Sequence, residues 1–199
     1  MNPDYLNNFE PAQHSTGSQF IELLQTFVIF AAVFLVIFLF VAQPHKVSGP
    51  SMKNTFHNDD YIITDKLTYR FSNPQRGNVI VFQAPRDHST DFIKRIIGLP
   101  GDKVKIEAGK VYINDKLLNE PYLMPGIQTF ANQGFIAEGE TKTVPQNEYF
   151  ALGDNRVQSS DSRDWGYIKR NEILGRVLVR YWPANYLGVF PGTYSAYGV

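Results

Sequence analysis

The sequence predicts a mostly β domain tethered by one N-terminal transmembrane helix. Three observations carry that expectation. One uninterrupted apolar run lies near the N-terminus, short β-branched runs separated by turn residues recur beyond Pro44, and no long segment of helical period follows the apolar run. At 199 residues the chain has room for one ordinary domain and an accessory segment.

Residues 1–19 are rich in Asn, Gln, Ser and Thr without apolar periodicity, and read as a short tail. From Phe27 to Ala42 the chain is FVIFAAVFLVIFLFVA, with no polar residue. Extending this run back to Phe20 gives an anchor at 20–42, about 34 Å of helix, which is enough to span a hydrocarbon core. A cleaved leader would need a positive start and a shorter apolar stretch. An interfacial helix would need a polar face, and a buried core helix would show polar punctuation. Residues 43–199 form the β domain. Its predicted strands include Tyr61–Thr64, Asn78–Phe82, Lys103–Ile106, Lys110–Ile113 and Val177–Trp182, with a hairpin turning at Ala108-Gly109. The stretch near 120–146, weakly patterned and rich in Gly and Pro, reads as an insertion or edge region. Trp165, Tyr167, Trp182 and Tyr186 are read as buried aromatics, with a lipid-facing surface as the alternative.

Composition excludes several function classes. Lys+Arg and Asp+Glu both number 19, so no global basic field argues for nucleic acid. The chain has no cysteine, which removes disulfides, thiolate nucleophiles and sulfur-ligated zinc. Its four histidines are scattered without H-x-x-x-H spacing, so a metal enzyme is not expected. The charge is uneven: residues 1–45 hold three acids (Asp4, Glu10, Glu22) and no Lys or Arg.

Three polar features carry candidate chemistry. In Val47-Ser48-Gly49-Pro50-Ser51-Met52 the Gly-Pro pair would fix a tight backbone and present the Ser51 hydroxyl and amide together, as a nucleophile with an oxyanion donor requires. An ordinary turn has the same composition, and no histidine has the surroundings of a partner base. In Phe92–Ile97, read as a strand, Lys94 and Arg95 face opposite sides, so at least one cation meets the core. A lysine there loses hydration and tends towards the neutral amine; an edge strand with both cations reaching water is the alternative. The segment Gly153–Gly166 alternates three aspartates with two arginines and holds three serines. It is either a solvated loop or a brace for a site.

The ordered set of G-x-S-M, K-R-x-x-G-x-P-G-D and G-D-N-R-x-x-S-x-D-S-R-x-W-G behind an apolar anchor resembles the type I signal peptidases of bacteria, membrane-bound Ser/Lys endopeptidases. The resemblance covers the chain from the anchor to Trp182-Pro183, including Asn119-Glu120-Pro121-Tyr122. It implies an antiparallel β domain of two unequal sheets, Ser51 as nucleophile and Lys94 as general base, with Ser159 hydrogen-bonding the amine, and no metal or cofactor. Asp161 and Arg163 would form the supporting ion pair, and Arg95 and Asp154 would occupy structural positions. Two departures stand out: Asn54 replaces a common proline, and Gly49 stands where some members supply an oxyanion-hole hydroxyl. The hole would then rest on the Ser51 amide and a second backbone N–H, that of Gly49 being the candidate.

The implied partners are pre-protein signal peptides, cut after a small residue with another small residue two positions earlier, together with the lipid bilayer and the protein export machinery. The implied location is the plasma membrane, with the N-terminus cytoplasmic and the catalytic domain outside. The positive-inside rule, counting Lys46 and Lys53 after the span and nothing before it, points the other way, but long domains are exported regardless. Two rivals remain at this level. A self-cleaving Ser/Lys repressor would carry a helix-turn-helix where the span lies, and a catalytically silent membrane-anchored binding module would have no reason to keep all five of Ser51, Lys94, Ser159, Asp161 and Arg163.

Overall fold

The computed structural model describes residues 16–190 except 54, 86, 132 and 133, and leaves out the side chains of residues 16, 18 and 88. Most of the expected tail, and the Asn54 departure, therefore lie outside the described residues. The chain divides into two compact units at Leu39/Phe40.

The first unit is one helix, α1 (Thr16–Phe40). Its stretch Gln19–Phe40 has a mean hydropathy of 2.8 and none of it is buried. Apolar side chains such as Phe27, Phe30 and Phe34 are exposed around its whole girth, so no face is polar enough for water. Thr26 Oγ1 donates to the Glu22 carbonyl at 2.8 Å, which satisfies the hydroxyl within the helix. The apolar run outlasts the helix, because Ala42 already belongs to the first strand.

The second unit is built from β1 (Ala42–Lys46), β2 (Tyr61–Asp65), the single turn α2 (Thr68–Phe71), β3 (Val79–Ala84), β4 (Asp87–Gly98), β5 (Lys103–Glu107), β6 (Lys110–Ile113), β7 (Lys116–Leu117), β8 (Thr141–Thr143), β9 (Glu148–Leu152), the single turn α3 (Ser162–Trp165), β10 (Ile168–Lys169), β11 (Ile173–Trp182) and β12 (Gly188–Val189). The strands make two unequal antiparallel sheets. The larger has the order β1-β2-β11-β3-β4-β9-β10, with β12 beside β11; the smaller has the order β7-β6-β5-β8. Every pairing is antiparallel.

Local chemistry explains the elements that periodicity reveals. In the β5–β6 hairpin Glu107 pairs with Lys110, and both turn residues, Ala108 and Gly109, have positive φ, the backbone of a two-residue hairpin turn. The unbroken run of β3 reflects burial on both faces: Ile80 and Phe82 enter one core cluster, Val79 and Val81 another. Strand β9, not evident from patterning, divides in the same way. Phe150 and Leu152 pack with Val104, Ile106 and Ile113 of the small sheet, while Tyr149 and Ala151 pack with Ile80 and Phe82. Of the four singled-out aromatics, Trp165 and Tyr167 pack against core clusters, whereas Trp182 and Tyr186 are exposed. The 120–146 region contributes β8, and it buries Ile136 and Val144 in the core below the small sheet.

For the site, the important strand is β4. It pairs with β3 over most of its length but with β9 only through Arg95, Ile96 and Gly98. Among the described residues, the Asp91–Ile93 stretch therefore has one edge without a neighbouring strand, beside the chain that follows β1.

Candidate active site

Ser51 sits in a tight turn after β1. Gly49 has φ +89° with open space around its Cα, so glycine is required there by backbone conformation and not by crowding. The following turn closes through Lys53 N–H to the Pro50 carbonyl at 3.0 Å and Phe56 N–H to the Met52 carbonyl at 2.7 Å. Met52 and Phe56 are fully buried beneath it and anchor the turn. From the far side, the Asn155 N–H donates to the Ser51 carbonyl at 2.9 Å and Asn155 Nδ2 to the Pro50 carbonyl at 3.1 Å. Asn155 was only part of a motif in the sequence; the structure makes it the clamp between the two loops.

Lys94 projects from β4 to the same point. Its Nζ donates to Ser51 Oγ at 2.9 Å and to the Ile93 carbonyl at 2.9 Å. The side chain is 4% exposed. Burial depresses its pKa from 10.5 to about 8, against the smaller upward pull of Asp161 and Asp154. When the amine is neutral the same contact runs in reverse, with the Ser51 hydroxyl donating to Nζ.

Arg95, the next residue, turns to the other face as strand geometry requires. Its Nε and Nη2 hold the two Asp154 oxygens at 2.8 and 2.7 Å, and Nη1 donates to the Gly77 carbonyl at 2.9 Å. Both cations of the strand are thus buried, but only Lys94 lacks a carboxylate partner within salt-bridge distance among the described residues. Asp161 caps α3 by accepting from the Arg163 N–H, and its side chain holds Arg163 Nε and Nη2 at 2.8 and 2.9 Å. Asp161 also accepts from the Gly153 N–H at 3.1 Å, tying the pair to the loop that faces Ser51.

Two expected contacts are not made in this structure. Ser159 is buried close to Gly153, where any added methyl would collide with its side chain and with the Ser51 carbonyl. Yet its hydroxyl makes no hydrogen bond among the described residues, and the carbonyl of Ile93 takes the second Lys94 bond instead. The Gly49 N–H is likewise committed, donating to Asn58 Oδ1 at 2.9 Å. It is therefore unavailable as an oxyanion donor, whereas the Ser51 N–H makes no hydrogen bond among the described residues.

Sequence reasoning also missed a buried brace. Arg156 Nη1 and Nη2 clasp Glu120, Nη2 also reaches the Tyr122 hydroxyl at 3.2 Å, and Nε donates to the Gly153 carbonyl at 3.1 Å. The Arg95 guanidinium lies 4.0 Å from the centre of the Tyr122 ring. The Asn119-Glu120-Pro121-Tyr122 stretch was visible as a motif, but nothing in the chain ordering pointed to Arg156 as its partner. Among the described residues no three His, Cys, Asp or Glu side chains gather to hold a metal ion.

A cleft of about 260 Å³ runs past the Ser51–Lys94 pair. Val47, Ile62, Val81 and Ile93 give it an apolar lining, and His45 and Asp91 bring polar groups to it. Such a site can activate a hydroxyl against a carbonyl held in an extended chain, using the open edge of β4 for main-chain bonds.

The chain is similar to known peptidases. The profile of the family described as "Signal peptidase, peptidase S26" matches residues 20–182. The "Probable signal peptidase I-2" of Synechocystis sp. is 39% identical over 175 residues, covering 85% of this chain and 76% of the relative. "Signal peptidase I" of Leptolyngbya laminosa is 37% identical over 186 residues, covering 89% and 87%. A crystal structure of a signal peptidase I from Enterococcus faecalis V583 is 32% identical and covers 53% of this chain and 97% of that one, with a TM-score of 0.44.

Proposed function

Because the chain belongs to the signal peptidase S26 family, we propose that Ser51 is its nucleophile and Lys94 its general base. The protein is a membrane-anchored peptidase that acts on the signal peptides of pre-proteins. The observation that carries the residue assignment is the 2.9 Å contact between Lys94 Nζ and Ser51 Oγ in a site dry enough to depress the lysine pKa to about 8.

In the reaction, neutral Lys94 takes the Ser51 proton while Oγ attacks the scissile carbonyl carbon. The Ser51 N–H stabilises the oxyanion of the tetrahedral intermediate. The carbonyl re-forms, the C–N bond breaks, and the Lys94 ammonium gives its proton to the departing amine. Lys94 then deprotonates a water that attacks the acyl ester, and Ser51 regains its proton as the signal peptide leaves. Asn155, Asp154–Arg95 and Asp161–Arg163 hold the two loops in register.

The cleft accepts a small side chain before the cut and another two positions earlier, and excludes larger ones by shape. Helix α1 spans the bilayer with its N-terminus in the cytoplasm, and the exposed Trp182 and Tyr186 face the outer lipid surface. The export machinery delivers the substrate.

The test is cleavage of a fluorogenic signal-peptide substrate by the full chain in detergent micelles. Wild type should cleave after Ala and lose nearly all kcat/KM when that residue is Leu, and Ser51→Ala should be inactive with unchanged melting. Comparable cleavage after Leu, or an active Ser51→Ala, would overturn the assignment. For orientation, Ser15→Cys and Ser195→Cys in this cysteine-free chain allow labelling of intact cells with an impermeant thiol reagent. Only the position-195 variant should react.

A further inference from the structure

We infer that His45 and Asp91 form a hydrogen-bond-accepting subsite that selects a hydroxyl-bearing side chain at the third residue before the cut. The inference rests on the peptidase reading above and concerns what this chain prefers within the small residues it admits.

The imidazole tautomer of His45 follows from its neighbours. His45 Nε2 lies 3.1 Å from Thr64 Oγ1, and Thr64 Oγ1 itself donates to the Gln43 carbonyl at 3.1 Å. A threonine hydroxyl has one proton. The arrangement that satisfies both contacts has Thr64 donate to Gln43 and His45 donate to Thr64, with hydrogen on Nε2. Burial, acting with Lys66 against the pull of Asp91, lowers the pKa of the ring, so the neutral form prevails near pH 7 and Nδ1 presents a lone pair.

That lone pair faces a second acceptor. Asp91 Oδ2 lies 4.0 Å from Nδ1, beyond hydrogen-bond range, and the neutral ring offers it no proton. Both residues line the cleft, where one donor oxygen or nitrogen lying beside the two acceptors can bond to either. His45 is on β1 and Asp91 on β4, and the neighbouring lining of Val47, Ile62, Val81 and Ile93 offers only apolar contact. An aliphatic side chain packed over the pair would separate the carboxylate from water and return nothing, whereas a hydroxyl there would give a charge-assisted bond.

Strand periodicity supplies the substrate position. Lys94 stands beside the reacting carbonyl, and its neighbour Ile93 shares a face of β4 with Asp91, two residues away and about 6.6 Å along the strand. In an extended substrate laid along that edge, side chains of the first and third residues before the cut point the same way at the same spacing. The first meets Ile93 and the third meets Asp91 and His45.

The experiment compares two peptides that differ only at the third residue before the cut, threonine against the nearly isosteric valine. Wild type should prefer threonine about tenfold in kcat/KM, the scale of one charge-assisted hydrogen bond. His45→Phe and Asp91→Ala should each lower the ratio, and the double variant should bring it to within about twofold of unity. Because each ratio is internal to one preparation, a misfolded fraction cancels. Equal cleavage of both peptides by wild type, or a tenfold ratio that survives both substitutions, overturns the inference and leaves the peptidase reading intact. Failure of wild type to cleave either peptide overturns both.

Discussion

Replacing Lys94 by methionine should abolish activity and stabilise the protein, and the size of the gain follows from its surroundings. In the unfolded chain the amine titrates at 10.5, in the fold at about 8. Below pH 8 it is charged in both states, and the fold bears the full cost of burying an ammonium, about 3 kcal/mol at about 1.4 kcal/mol per pKa unit. Between pH 8 and 10.5 the unfolded chain holds more protons than the folded one, so stability rises with pH. By pH 10.5 the penalty has fallen below about 0.5 kcal/mol. Methionine has a similar length and no charge. It forfeits the two Nζ hydrogen bonds, at a net cost of about 1 kcal/mol, which leaves a gain of about 2 kcal/mol at pH 7. For a domain of this size that is an increase in Tm of about 4–8 °C. The assay is thermal melting of wild type and Lys94→Met in micelles at each half unit from pH 6.5 to 10.5. The Tm difference should be positive at neutral pH and shrink steadily above pH 8. A destabilised variant at pH 7, or a difference independent of pH, would refute the account of a desolvated amine. The same titration governs catalysis. About one amine in ten is neutral at pH 7 with a pKa of about 8, against about one in three thousand for an ordinary lysine. Wild-type kcat/KM should accordingly rise about tenfold per pH unit below pH 7 and level off above pH 8–9.

Lys94→Arg should be folded but inactive, because a guanidinium stays protonated and cannot act as base; substantial turnover in a variant with native melting would remove Lys94 from that role. Asp154→Ala should lower stability by about 3–5 kcal/mol, since it removes the carboxylate that holds the buried Arg95 guanidinium, and an unchanged Tm would show that the ion pair is dispensable for the fold. Ser159→Ala should melt at or slightly above the wild-type temperature, because it deletes a buried hydroxyl that makes no hydrogen bond among the described residues. If its kcat/KM nonetheless falls, the hydroxyl turns to Lys94 during turnover; if kcat/KM is unchanged, Ser159 has no part in orienting the base.

What a single stretch of chain controls was legible in the sequence. The apolar run defined the helix because membrane length and the absence of polar residues are properties of consecutive residues. Ser51, Lys94, Arg95 and the Gly153–Gly166 segment could be singled out because each breaks its local pattern: a serine in a Gly-Pro turn, cations in an apolar strand, alternating charges in a loop. The turn at Ala108-Gly109 and the doubly buried run of β3 were equally local. The tertiary structure decided whatever depends on a partner far along the chain. Asn58 takes the Gly49 amide, and the Ile93 carbonyl, not Ser159, takes the second lysine bond. Glu120 and Tyr122 close on Arg156 from within a region that looked like a loose insertion. Strand β1, with a proline in a short polar sequence, exists because β2 pairs with it. Most of all, the sequence can specify an amine but not its pKa: the ionisation of Lys94 is set by how completely the surrounding fold removes water, and no spacing of residues encodes that.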